Sequence, residues 1–131
     1  MNQTSINACC IFIVDDEPSN LKLLYKLLAS QGYQNLVTIQ DPREVLPRYA
    51  MGKPDLILLD INMPHLDGYQ VMEQLHALND PLLAPIVVLT AQHSRDFLLK
   101  ALTAGARDFV SKPFDRSELL SRVRNLPDAH S

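Results

Sequence analysis

Three short stretches of this 131-residue chain are apolar at every position rather than at every second one: Cys9-Cys10-Ile11-Phe12-Ile13-Val14, Leu56-Ile57-Leu58-Leu59 and Ile86-Val87-Val88-Leu89. A strand with one wet face alternates, so a run without alternation belongs to a strand covered on both faces. Helices packed on both sides of a parallel sheet supply that cover. Each run ends in polar side chains: Asp15-Asp16, Asp60 and Thr90. A fourth short run, Asp108-Phe109-Val110-Ser111, delivers Lys112-Pro113. In a parallel sheet these four ends share one edge, the edge at which open α/β sheets carry their chemistry. Acids, a hydroxyl and an ammonium arriving there together suit a divalent cation and a phosphoryl group.

The segments between the runs have helical patterning. Glu17-Pro18-Ser19 is a helix start, Leu21, Leu24, Leu27 and Leu28 recur at helical spacing, and Gly32 supplies the stop. Leu36-Val37-Thr38-Ile39 is a short second strand, and Asp41-Pro42 caps a helix through about Ala50 that Pro47 is expected to kink or shorten. Asp67-Gly68 opens a helix with Val71, Leu75 and Leu78 as its stripe, ended by Asn79-Asp80-Pro81. Further helices are predicted over 94–104, closed by Gly105, and over about 115–126, before Pro127. Five strands alternating with five helices predict an α/β fold, a three-layer αβα sandwich around a five-stranded parallel sheet. One domain over 1–131 is expected, with its folded core at about 9–126.

Hydrophobic residues make up 47% of the chain, enough for a core, but no apolar stretch approaches the roughly 18 residues of a spanning helix. Met1-Asn2-Gln3-Thr4-Ser5 carries no base and precedes no long apolar segment, so a cytoplasmic protein without a secretory signal is expected. Twelve Lys and Arg against 15 Asp and Glu, with the bases dispersed, leave no electrostatic footprint for direct nucleic-acid binding. Cys9 and Cys10 are adjacent on a strand and point to opposite faces, which predicts two reduced, small apolar residues. His65, His76, His93 and His130 share no ligand spacing and are expected at the solvated surface.

Four motifs, in order and each at a strand end, carry a resemblance. They are Ile13-Val14-Asp15-Asp16-Glu17-Pro18, Leu59-Asp60-Ile61-Asn62-Met63-Pro64 with Asp67-Gly68, Leu89-Thr90-Ala91, and Lys112-Pro113-Phe114. Together they resemble the response-regulator receiver domains of two-component phosphorelay signalling, over about 9–126. The resemblance implies the flavodoxin-like strand order 2-1-3-4-5, which periodicity does not provide. It implies that Asp60 accepts a phosphoryl group from a sensor histidine kinase or phosphotransfer protein. Asp16 and Asp60 would hold Mg²⁺ directly with the backbone carbonyl of Asn62, and Asp15 through a bound water. Thr90 would be the responsive hydroxyl, Phe109 the mobile aromatic, and Lys112 the phosphate-binding ammonium, aimed by a cis peptide to Pro113.

The chemistry is consistent with those residue types. Carboxylates about 5 Å apart repel by roughly 3 kcal/mol per pair at an effective dielectric near 20, so such a pocket calls for a cation. Oxygen-only ligands favour Mg²⁺, or Mn²⁺, over Zn²⁺. A carboxylate suffices as nucleophile once metal and ammonium neutralise the phosphoryl oxygens. Phosphorylation would draw Thr90 inward, let Phe109 turn, and change the surface formed by the 94–104 helix, the last strand and the last helix. That face is expected to control an output domain or downstream partner and to serve a dimer. Consecutive Phe97, Leu98 and Leu99 cannot all face the sheet, and Leu98 is the expected exposed member. Gln92 admits two readings, tuning of phosphoaspartate hydrolysis or plain solvation.

Other functions fit less well. A phosphatase of the haloacid-dehalogenase type wants a second Asp two residues after the nucleophile, where this chain has Asn62. A nucleotide or flavin binder needs a phosphate-cradling glycine loop, and none of the four glycines forms one. A phosphorylation-independent interaction module would normally lack one of the pocket residues. The expectation is therefore a regulatory phosphoacceptor rather than an enzyme, one that assists its own phosphotransfer and dephosphorylation. The 107–114 and 119–124 stretches look most like receivers fused to enzymatic outputs, including cyclic-dinucleotide phosphodiesterases.

Overall fold

The computed structural model describes residues 9–63, 66–91 and 94–128, with side chains through Asn125. Its strands are β1 (Cys10–Val14), β2 (Asn35–Ile39), β3 (Leu56–Asp60), β4 (Ile86–Thr90) and β5 (Asp108–Ser111). Its helices are α1 (Pro18–Ala29), α2 (Val45–Met51), α3 (Gly68–His76), α4 (Arg95–Thr103) and α5 (Arg116–Asp128). All strand pairs are parallel and the order is β2-β1-β3-β4-β5.

The unalternating runs are explained by what covers them. On β1, Ile11 and Ile13 face α1 and α5 and pack with Leu24, Leu28, Leu119 and Val123. Phe12 and Val14 face the other way, among Tyr49 of α2, Val71 and Leu75 of α3 and Ala101 of α4. Every residue of β3 and β4 is buried. At about 1.5–3 kcal/mol for each large aliphatic side chain removed from water, the two apolar layers are the main force holding the sandwich together.

Local signals set the helix starts. Asp67 and Gln70 form a reciprocal capping box, each side chain 2.9 Å from the other's main-chain nitrogen. Ser94 caps α4 by accepting from the Phe97 N–H at 3.2 Å. Gly68 is required by close approach: a Cβ there would lie 2.8 Å from Ile61 Cα and 2.9 Å from the Asp60 carbonyl oxygen. Gly105 ends α4's turn at φ +119°, and a side chain there would also run into the His76 ring.

Some expectations need correction. The segment after Asp41 begins as a 3-10 turn over Pro42–Glu44, and α2 starts only at Val45. Pro47 thus lies in the first turn of α2, where its missing N–H is no loss, and it neither kinks nor shortens the helix at its late end. Leu78 lies beyond α3 and is 46% exposed, while Met72 takes the buried position. Of the consecutive Phe97, Leu98 and Leu99, Leu99 is the exposed member and Leu98 is half-buried. Helix α5 runs to Asp128, past Pro127, a difference within the fraying of helix ends. The Asp55 carboxylate accepts from the Cys10 N–H at 2.8 Å, and the Asp55 N–H donates to the Cys10 carbonyl at 2.7 Å, tying the turn before β3 to the start of β1.

Candidate functional site

Sheet register builds the site. Val14 is paired with Leu59, so the next residues, Asp15 and Asp60, emerge side by side. Asp60 is paired with Leu89, immediately before Thr90, and Thr90 is paired with Ser111, immediately before Lys112. The Lys112 N–H donates to the Thr90 carbonyl at 2.8 Å, fastening the last two tips together. The Lys112-Pro113 peptide is cis.

Asp15, Asp16 and Asp60 bring carboxylate oxygens within 4.8 Å of one another. Asp15 and Asp60 are buried, at 0% and 2% exposure, and Asp16 is half-buried at the mouth. The Lys112 ammonium lies 3.1 Å from Asp60 Oδ1 and 3.4 Å from Asp15 Oδ2. Asp15 Oδ1 also accepts from the Glu17 N–H at 3.0 Å, and Asp60 Oδ1 from the Asn62 N–H at 3.4 Å. Burial pushes the Asp60 carboxyl up and the Asp15 charge pushes it further; Lys112 offsets this only in part, leaving it at about 6 against the usual 3.8. Burial alone would lower the Lys112 ammonium, but Asp60 and then Asp15 outweigh it, and its pKa is raised.

The donor set fits a hard divalent cation. All three side chains offer oxygen, and two carboxylates at this range repel by about 3 kcal/mol at an effective dielectric near 20.

Asn62 sits two residues beyond Asp60 on the loop to α3, with its side chain exposed. Thr90 is buried, and Phe109 on β5 is half-buried against the layer that contains α3 and α4. Gln92, His93, His65, Pro64 and His130 lie outside the described residues. Sequence reasoning missed Tyr69, directly after Gly68. Its ring meets Phe97 edge-on at 5.9 Å between centroids, and the Lys100 ammonium sits 4.4 Å from its centre. The available signal was a tyrosine on the first turn of the helix that follows Asp60, with Lys100 and Phe97 at helical spacing on α4.

A five-stranded parallel sheet with two acidic tips and a lysine at its carboxyl edge defines a class of signalling domains, and the comparisons agree. Residues 11–124 match the family described as the response regulator receiver domain, and the chain belongs to that family. It is 42% identical over 116 residues to the response regulator MprA of Mycolicibacterium vanbaalenii, covering 88% of this chain and 49% of that protein. The chain thus spans about half the length of the curated relatives it matches. Its fold is similar to the receiver domain of the Francisella response regulator 1452, with a TM-score of 0.86 at 25% identity, covering 94% of this chain and 99% of that one. It is also similar to the signal receiver domain of a histidine kinase from Syntrophus aciditrophicus, with a TM-score of 0.82 at 32% identity, covering 93% and 92%. Among the described residues no helix is long and apolar enough to cross a membrane.

Proposed function

We propose that Asp60 accepts a phosphoryl group from the phosphohistidine of a sensor histidine kinase or phosphotransfer protein. The observation that carries this reading is the 3.1 Å pairing of the Lys112 ammonium with Asp60 Oδ1, beside two further carboxylates. Asp16, Asp60 and the main-chain carbonyl of Asn62 would hold Mg²⁺, with Asp15 acting through a water. When bound, the cation neutralises charge on the phosphoryl oxygens.

An Asp60 oxygen attacks phosphorus, the P–N bond to the donor imidazole breaks, and its electron pair returns to the ring, which takes up a proton. Lys112 exchanges part of its contact with Asp60 for a phosphoryl oxygen. The Thr90 hydroxyl donates to another, drawing its loop inward, and Phe109 turns into the space released. The face formed by α4, β5 and α5 changes accordingly and controls an output domain or downstream protein, or closes a dimer. In this reading 1–131 is one receiver domain of a cytoplasmic regulator, regulatory rather than catalytic.

Incubation with Mg²⁺ and acetyl phosphate, followed by intact mass, tests it. The expected result is one phosphoryl adduct, absent in Asp60→Asn and absent with EDTA. No adduct on the native chain, or an undiminished one on Asp60→Asn, overturns the assignment.

A further inference from the structure

The opposite edge of the sheet holds a second concavity. Helix α2 is only seven residues long and leaves the amino ends of β1 and β2 partly uncovered. The gap is an open-sided cavity of about 370 Å³, wide to solvent, with a volume in the range of small-molecule sites. Its walls are Cys10, Phe12, Val37 and Met51, with Arg48 and Lys53 contributing the charge. Cys10 and Asp15 are five residues apart along the chain, so the cavity sits about 16 Å from the acidic edge.

The two cations are not equivalent. Lys53 is held by Asp80 at 2.7 Å, and Asp80 also accepts from the Tyr49 hydroxyl at 3.1 Å. Arg48 is loosely engaged: its Nε and Nη2 share the single oxygen Glu44 Oε1, both at 3.3 Å, with both side chains about half exposed. A guanidinium fork is matched by two parallel oxygens, and here one oxygen serves both donors. Phe12 is 2% exposed and closes the bottom with almost no surface of its own, so the apolar surface open to an occupant belongs to half-buried Cys10 and Val37 and to Met51, 88% exposed at the rim, a flexible thioether able to fold over it.

We propose that this cavity binds a small amphipathic carboxylate, an aryl or short acyl acid whose carboxylate engages Arg48 bidentately in place of Glu44 and whose apolar body lies between Val37 and Met51. Lys53 lines the rim but is already neutralised by Asp80, so Arg48 is the anchoring cation. Phosphate or sulfate would satisfy the fork but leave the apolar surface of Val37 and Met51 uncovered, so the organic acid is the better match. The half-buried Cys10 thiol in the wall reports on occupancy.

Phenylacetate is the probe, with neutral phenylacetamide as its control, titrated into the full chain and followed by amide NMR. Saturable shifts are expected at Cys10, Phe12 and Val37, with a dissociation constant of about a millimolar for a ligand of this size. Phenylacetamide and the Arg48→Gln variant should each bind about tenfold more weakly, the loss expected for one charge-assisted contact. Saturating phenylacetate should also slow alkylation of Cys10 by iodoacetamide. Absence of saturable shifts at these residues, equal binding of acid and amide, or unchanged binding by Arg48→Gln overturns the proposal. None of these readouts depends on phosphorylation of Asp60.

Discussion

Lys100 holds its ammonium 4.4 Å from the centre of the Tyr69 ring, joining the middle of α4 to the first turn of the helix that follows Asp60. The same ring meets Phe97 edge-on. The Tyr69 hydroxyl is enclosed with no hydrogen-bond partner among the described residues. The ring therefore contributes and the hydroxyl does not. Tyr69→Phe should leave stability unchanged or raise it by about 1 kcal/mol, while Tyr69→Leu should lower it by about 0.5–2 kcal/mol through loss of the cation and edge contacts. Urea unfolding compares the three; a clear loss in Tyr69→Phe would show that the hydroxyl is satisfied.

The raised Asp60 carboxyl makes a directional statement about pH. Its folded pKa of about 6 lies above the usual 3.8, so the native state binds the proton more tightly than the unfolded chain. That contribution is fully present below 3.8 and is lost as pH rises through about 6. Without divalent cations, stability should fall between those values by about 1–3 kcal/mol. Asp60→Asn should remove most of the dependence, and Mg²⁺ should restore stability at neutral pH by binding the ionised form. Denaturant curves in EDTA and in Mg²⁺ at both ends of the window check this.

Gly68 allows α3 to start against the end of β3. Because the atoms that a Cβ would meet at 2.8 and 2.9 Å belong to main chain, neither can rotate away. Gly68→Ala should cost about 1–3 kcal/mol and displace the loop that carries Asn62. Thermal unfolding measures the first effect, and the rate of labelling by acetyl phosphate the second.

Phe109 is half-buried in the unmodified chain. If its ring follows Thr90, beryllofluoride with Mg²⁺ should move the Phe109 ring resonances and those of exposed Leu99, and Thr90→Ala should suppress both changes. Identical spectra with and without beryllofluoride would disconnect the aromatic from the acidic edge.

Sequence and structure agree where the physics is local. Doubly covered strands have unbroken apolar runs, and their polar ends mark one edge, so Asp15, Asp60, Thr90 and Lys112 are legible as neighbours from the residues alone. Strand order required the family resemblance, because periodicity carries no information about neighbours. Pro47 was misplaced because a 3-10 turn and the start of an α-helix have the same composition. Leu78 and Leu98 were misassigned because the end of α3 and the rotation of α4 are set by packing. The ring of Tyr69 under Lys100, and the cavity beside α2, arise from residues distant in the chain and were not legible from either element alone.

The alignment of Val14 with Leu59, and of Thr90 with Ser111, carries one last consequence. Side chains on a strand point alternately up and down, so sliding any of these strands by one step would exchange the side chains of its two apolar layers and shift its tip with them. A molecule that has folded has therefore already gathered Asp15, Asp60, Thr90 and Lys112 at one edge, and one that has not gathered them has not folded. On the proposed phosphoacceptor reading, core substitutions that leave this edge in place should weaken the response by thinning the population of competent molecules, with each survivor still responding at full strength.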